Sequence, residues 1–510
     1  MSPGRRRQSS LSIPSRHCPA VFVSAAWLLV TLPATAQTTW FVDDDGAAGN
    51  GCTSWADACP DLQTALGLAG PGDAIWVADG TYRPAGPGGD RAATFQLNNG
   101  VALYGGFDGT ETTLAERAGL FDRTILSGDL NGNDGPGFAN ITDNSRHVVT
   151  VVGPNAITIL DGFAITGGNS VDFPQDGGGG MLIDGSSPAV RNCRLLENAA
   201  PVGGAILNTY HGAPTFTNCR FSGNAAAAGG AMYNGLGTGT IVTHCTFSGN
   251  SASRGGALFN TEGSTPIVIN SRFSGNAANR GGAMENTNFS DTTVINCTFS
   301  GNSGDLGGAL FHNSANSTVT NCIFWNNPGG AILFATNSIV TYSNVEGGFV
   351  GAGNIDADPL FVDPLGPDGV AGTEDDDLRL QAGSPCIDAG DNTAVPADIA
   401  DLDGDGDTTE RTPLDLAGNP RFVDDPATVD TGIPDPPDYP GVVDMGAFEF
   451  EICGLTGDVN GDSMVDGADI QGFVECVVTG AGTCLCADID GLDGPTIDDV
   501  GLFVILLLNP

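Results

Sequence analysis

Residues 244–259 read HCTFSGNSASRGGALF, and residues 296–311 read NCTFSGNSGDLGGALF. Between them, 270–285 reads NSRFSGNAANRGGAME, so one phrase returns every 26 residues. The series runs on in both directions. Cys193, Cys219, Cys245, Ser271 and Cys297 keep the interval of 26, and Cys322 follows after 25. Five positions after each stands an asparagine: Asn198, Asn224, Asn250, Asn276, Asn302 and Asn327. A Gly-Gly-Ala triplet keeps step from Gly203-Gly204-Ala205 to Gly307-Gly308-Ala309. A period of this size marks a solenoid, whose units bury their apolar faces only by stacking.

The segments inside each unit are short, rich in Thr, Val, Ile, Phe and Cys, and broken by Gly and Asn, which predicts strands. In Cys-x-Phe the flanking slots are apolar, while the middle one varies as Arg220, Thr246, Arg272 and Thr298. Period-two alternation puts Cys and Phe inside and the variable residue outside. After Gly-Gly-Ala an inward slot holds Ile206, Met232, Leu258, Met284 or Leu310. The next slot, with Tyr233, Phe259 or Glu285, faces out. A third strand falls around Phe216, Val242, Val268 and Val294, with a bend at the Asn before Cys. Three strands per turn predict a right-handed parallel β-helix with coils spaced by roughly 4.8 Å. Asn198 and its successors are expected to take a left-handed corner and to hydrogen-bond along the stack. The glycines are expected to allow tight corners. The lone cysteines read as small buried hydrophobes rather than a metal ladder.

The pattern reaches further toward the N-terminus, less regularly, through LDGFAITGGN (160–169) and GGGGMLID (177–184), with strands expected at 73–84 and 100–111. DLQTALGLAG (61–70) reads as a short helix, and Cys52–Cys59 as a local disulfide. Together they would cap the open end of the stack at about 37–80, as the N-terminal part of a β-helix spanning 37–345 with regular coils over about 192–341. Residues 1–36, basic and then apolar, with a small-x-small cleavage site in ATAQ near Ala36, read as a secretory signal peptide, which implies a secreted protein and permits disulfides. Without them, fourteen arginines face sixty acids, a net charge of −46, and there is no lysine. That balance argues against nucleic-acid partners and favours bridging by calcium. No mature segment is long enough to span a bilayer.

After about residue 345 the repeat stops, and an acidic, loop-rich closing region is expected over 346–452, with VDMGAFEF (443–450) as a closing strand. Asp401, Asp403, Asp405 and Asp407 alternate around glycines as in calcium loops, and DLNGND (129–134) is a weaker example. The sharpest motif lies in the tail, 453–510. DVNGDSMVDGAD places Asp458, Asn460, Asp462, Met464, Asp466 and Asp469 at positions 1, 3, 5, 7, 9 and 12 of a twelve-residue loop, an arrangement that can surround one Ca²⁺. A second copy offers Asp488, Asp490, Thr496 and Asp499 but carries Leu492 at position 5. An apolar helix is expected after each loop, the second packing on the first.

These twin loop-helix copies resemble a type I dockerin, which implies calcium binding and docking onto a cohesin-like partner. The FSGN…GGAL repeats resemble those of polymorphic outer-membrane proteins, within the pectin-lyase-like β-helix class. GSPCIDAGD (383–391) and VDMGAFEF, within 359–450, resemble the choice-of-anchor Q domain of secreted bacterial β-helix proteins. The expected fold is therefore all-β, with a small helical calcium-binding domain at the end.

A hydrolase would need paired carboxylates, and a lyase a base with charge neutralisation. The coils offer only scattered candidates. Glu285 is a lone acid on an outward slot, and His211 the best exposed histidine. His244 and His312 replace asparagines and read as corner residues, and His147 as a strand start. No catalytic set emerges. The residues favour a non-catalytic surface protein presenting a glycan- or protein-binding face, with a polysaccharide lyase or glycoside hydrolase as the alternative.

Overall fold

A computed structural model describes residues 37–450, apart from 118–122, 154–157, 172–175, 334–337, 436–438 and 440, and beyond them residues 465, 467, 469–479 and 499–508. Three parallel sheets run along one axis. Among the described residues the first has 11 strands, from Thr39–Val42 to Ile339–Thr341. The second has 10, from Gly80–Tyr82 to Asn344–Val345, and the third 9, from Phe95–Gln96 to Ile332–Leu333. In the regular coils the chain visits the sheets in turn, as in Ile241–Thr243, Thr246–Ser248 and Leu258–Asn260. Each strand pairs with its counterpart one coil on, so Phe221, Phe247, Phe273, Phe299 and Phe324 align in register. Their rings stack at 4.6 Å. The core is the expected one: Cys193, Cys219, Cys245, Cys297 and Cys322 are buried free thiols beside these rings. Ser271 fills the same column, accepting from the Cys245 amide at 3.2 Å.

Three expectations need correction. First, a coil has more than three paired segments. Between the second and third sheets a fourth ladder joins Ala199–Val202 to Ala225–Ala228 and Ala277–Arg280 to Ser303–Leu306, with single bridges through Ser251 and Arg254. Second, the corner asparagines Asn198 to Asn327 do bond along the stack, for example Asn224 Nδ2 to Asn250 Oδ1 at 2.9 Å, but they are not the left-handed residues. The residue before each takes that strain: Glu197, Gly223, Gly249, Gly275, Gly301 and Asn326 all have positive φ. The bend before Cys falls where expected, and it too is left-handed, at Asn192, Asn218, His244, Asn270, Asn296 and Asn321. Third, residues 443–450 form no strand.

Helix α1 (Leu62–Leu68) is capped by Asp61, whose carboxylate accepts from the Gln63 amide. It buries Leu62, Ala65 and Leu66 in the same core as the Cys52–Cys59 disulfide. Beyond the last coil strand, a hairpin of Phe361–Asp363 with Asp377–Leu380 and long irregular segments lie on the coils. They cover outer residues that alternation had assigned to solvent. Arg272 is buried and donates to the carbonyls of Asp376 at 2.9 Å and Thr373 at 2.6 Å. Thr298 is buried beneath Ala447, whose amide donates to its Oγ1 at 2.9 Å. In the tail, helices α2 (Asp469–Thr479) and α3 (Asp499–Leu508) stand where the apolar runs predicted them, and Phe473 stacks on Phe503 at 3.9 Å. No helix among the described residues is long and apolar enough to cross a membrane.

Candidate functional site

The repeat phrase breaks at its last copy. Where sister coils carry Ser222, Ser248, Ser274 and Ser300 in register, the next strand carries Trp325. This half-buried indole faces outward beside the place where the closing region crosses the coils. There it helps to line a cavity of about 330 Å³ with Asn326, Glu346, Asp358, Phe361 and Gln381. Both carboxylates are held by backbone amides: Glu346 Oε2 accepts from Asn326 N at 2.7 Å, and Asp358 Oδ1 from Leu360 N at 3.0 Å. Gln381 Nε2 is spent on the Phe361 carbonyl at 2.9 Å.

The cavity does not end there. Asn326 and Glu346 also line a second one of about 310 Å³, with Asn327, Pro328 and Gly330. Pro328 in turn joins a third, open hollow of about 670 Å³ over Ser251, Ala277, Ser303 and Asp305. Ser251, Ala277, Ser303 and Pro328 belong to successive coils, so the hollows form a trough along the stacking axis. Three coil steps span roughly 15 Å at the strand spacing. The third hollow is lined mainly by Ser, Ala and Gly of the fourth ladder, with Asn279, Asp305 and Pro328 beside them, and small side chains there leave it open to an extended ligand. Among the described lining residues, Asp305, Glu346 and Asp358 are the charged ones, and none is basic.

The candidates singled out in the sequence are dispersed. Glu285 lies outside the coil core as expected, but it is fully buried there. Arg254 Nη2 reaches its Oε1 at 2.7 Å and Arg280 Nη2 at 3.4 Å, while Arg254 also lies over Phe259 at 4.3 Å. Its charge is committed to these arginines, so it is not a free acid. His211 is exposed, as expected, at a left-handed turn next to the exposed Tyr210. His147 is mostly buried, its Nδ1 2.9 Å from the Gly178 carbonyl oxygen, and burial lowers its pKa. His244 is a corner residue, and burial pushes its pKa down to about 4. His312 is not a corner. It ends an inward column of the third sheet after Asn208, Asn234, Asn260 and Asn286, 3.0 Å from Asn286 Nδ2, and burial lowers its pKa to about 3. The buried thiols are inert, because desolvation raises their pKa: Cys386 to about 12, Cys193 well above its usual range.

Of the calcium-loop residues, Asp458, Asn460, Asp462, Met464, Asp466, Asp488, Asp490 and Thr496 lie outside the described residues. Asp469 and Asp499 open α2 and α3, and Asp499 is buried. In the acidic loop, single carboxylate oxygens of Asp401, Asp403 and Asp405 lie within 4.8 Å of one another. Each of these three carboxylates also accepts a nearby amide. In 129–134, the Asp129 carboxylate accepts from the amides of Gly132, Asn133 and Asp134. Sequence reasoning missed the trough. Its one signal was the change from FSGN to FWNN at 324–327.

A family model described as "Right handed beta helix region" matches residues 133–253 and 179–347. The coils are thus a right-handed parallel β-helix. No curated protein matches the chain. Among solved structures, a pectate lyase, Pel9A, is similar at 14% identity, covering 82% of this chain and 97% of its own, with a TM-score of 0.46. A rhamnogalacturonan lyase is similar at 14% identity over 68% of this chain and 97% of its own (TM-score 0.39). An alginate lyase from Paenibacillus sp. str. FPU-7 is similar at 14% identity over 59% of this chain and 99% of its own (TM-score 0.32). At these identities the likeness concerns the fold alone.

Proposed function

We propose that the chain is a secreted polysaccharide-binding β-helix protein that lays an extended glycan along the trough, and that its tail docks through calcium to a cohesin-like partner. The observation that carries the first part is the continuity of the three hollows across successive coils, with the Trp325 ring at one end. A small-residue floor admits a chain, and an aromatic face with amide and carboxylate groups beside it can stack on a sugar and bond its hydroxyls. Acids without a basic partner in the lining disfavour a polyanionic ligand, so the glycan is expected to be uncharged. The Cys52–Cys59 disulfide and a further disulfide at Cys476 support an oxidising, extracellular setting. The helix pair α2 and α3, each opening on the last aspartate of its loop, supports the docking module.

Retention of the calcium-loaded protein on a panel of neutral and acidic polysaccharides tests the reading. Binding to a neutral member is expected, with Trp325→Ala weakening it by about tenfold or more. Unchanged retention by Trp325→Ala would remove the trough from the account. One observation favours a second reading, hydrolysis: Glu346 and Asp358 line the same cavity. If new reducing ends appear and both Glu346→Gln and Asp358→Asn abolish them, the pair works as acid and base or nucleophile.

A further inference from the structure

Two loops of the closing region meet at Asp388. Its side chain is fully buried, and its backbone is pinned: the amide donates to Asp444 Oδ1 at 2.7 Å, and the carbonyl accepts from the amides of Thr431 at 2.9 Å and Gly432 at 3.0 Å. Its Oδ2 accepts from the Asp425 amide at 3.3 Å. Its other carboxylate oxygen, Oδ1, is buried and meets no donor. Asp424 and Asp430, both solvent-exposed, bring their carboxylates to the same spot, so that one oxygen from each of the three lies within 4.8 Å of the others. No ion pair reaches any of the three among the described residues; the nearby buried Arg421 pairs with Glu449 at 3.4 Å.

A buried carboxylate oxygen without a donor is costly, and two more anions beside it increase the cost. A cation at their centre reverses the sign. The geometry points to a calcium site built by Asp388, Asp424 and Asp430, separate from the loops of the tail. The donors are all oxygens, with no His or Cys in the set, which selects a hard cation. They come from two irregular loops, two of the three exposed to water, which suits the larger, flexible shell of Ca²⁺ better than the strict octahedron of Mg²⁺.

The ion would act as a clasp. It joins the Asp388 loop to 424–430, and the Asp388 loop already grips the last regular coils: Asn321 Nδ2 donates to the Asp391 carbonyl at 3.0 Å, and the Asp391 amide donates to Asn321 Oδ1 at 2.7 Å. Calcium would thereby hold the closing region on the β-helix.

The test uses the full chain carrying Asp458→Ala with Asp469→Ala, so that the first tail loop is silent, with and without Asp424→Asn plus Asp430→Asn. Both added changes are at exposed positions. Calorimetric titration with calcium chloride should show one ion fewer in the added variant. Hydrogen exchange should show calcium slowing the amides of 386–391 and 424–432 in the parent and not in the variant. An equal number of ions, or equal protection, would overturn the site. Equal protection by magnesium at the same concentration would overturn its assignment to calcium. Should the double change impair folding, Asp430→Asn alone is expected to weaken this site at least tenfold, and an unchanged affinity would again overturn it.

Discussion

At the scale of single residues, the stack depends on the buried corner asparagines and the bonds they make along it. Asn250 is representative. Its Nδ2 donates to the Phe221 carbonyl and to Asn276 Oδ1, each at 2.9 Å, while its Oδ1 accepts from the amide and Nδ2 of Asn224. Asn250→Ala would strand these partners in the core, at a cost of roughly 2–4 kcal/mol, by the usual penalty for buried groups left without partners. A lowered urea midpoint measures it. His244 gives a different readout. Its Nε2 lies 2.6 Å from the Asp415 carbonyl oxygen, and desolvation, with Arg421 as a lesser cause, depresses its pKa to about 4. The folded state therefore disfavours the protonated ring. The contribution of His244 is complete above the unfolded-state value of about 6.5 and is lost as pH falls from there toward 4. His244→Asn, the residue of the sister coils, should flatten this part of the stability–pH curve, followed by thermal unfolding between pH 7 and pH 4.

At the scale of the coil, Gly-Gly-Ala was legible as a corner signal, yet its two glycines answer to different constraints. Gly255 has φ +57° in the left-handed region, and a Cβ there would meet the Leu258 carbonyl oxygen of its own coil. A Cβ on Gly256 would collide with the carbonyl oxygen of Gly282, one coil away, so this glycine exists for close backbone approach. Only stacking reveals the second reason, because the colliding atom is 26 residues distant. The difference is testable against Gly249, which has φ +59° but open space around its Cβ direction. Gly249→Ala should cost about 1–2 kcal/mol, the usual left-handed penalty. Gly256→Ala must displace backbone and should cost distinctly more, seen as a larger drop in denaturation midpoint. An equal drop would show that the coils can shift apart freely.

At the scale of the molecule, the closing region decides which outer residues are surface. Arg272 illustrates this. Alternation correctly turned it away from the coil core, but 373–376 then buried it, with its guanidinium on two carbonyls and 3.6 Å from Asp376. Arg272→Ala should leave the far-ultraviolet signature of the coils intact and loosen 359–380. Limited proteolysis should then cut the variant in that segment sooner than the parent protein. The trough arises in the same way: Trp325 and Glu346 come from the coils, Asp358, Phe361 and Gln381 from the region laid across them.

The amino-acid sequence alone determined the solenoid, its 26-residue period, the inward columns of Cys and Phe, the capping helix and the Cys52–Cys59 bridge. Each is written in local features, namely alternation, spacing and composition, which report which side of a strand is apolar whatever lies elsewhere. The tertiary structure alone decided the fourth ladder, the arginines over Glu285, the inward place of His312, the trough, and the convergence of Asp388, Asp424 and Asp430. These depend on contacts between segments from 25 to more than 100 residues apart. Alternation tells a residue to face away from its own coil; it carries no information about what another part of the chain will place on top.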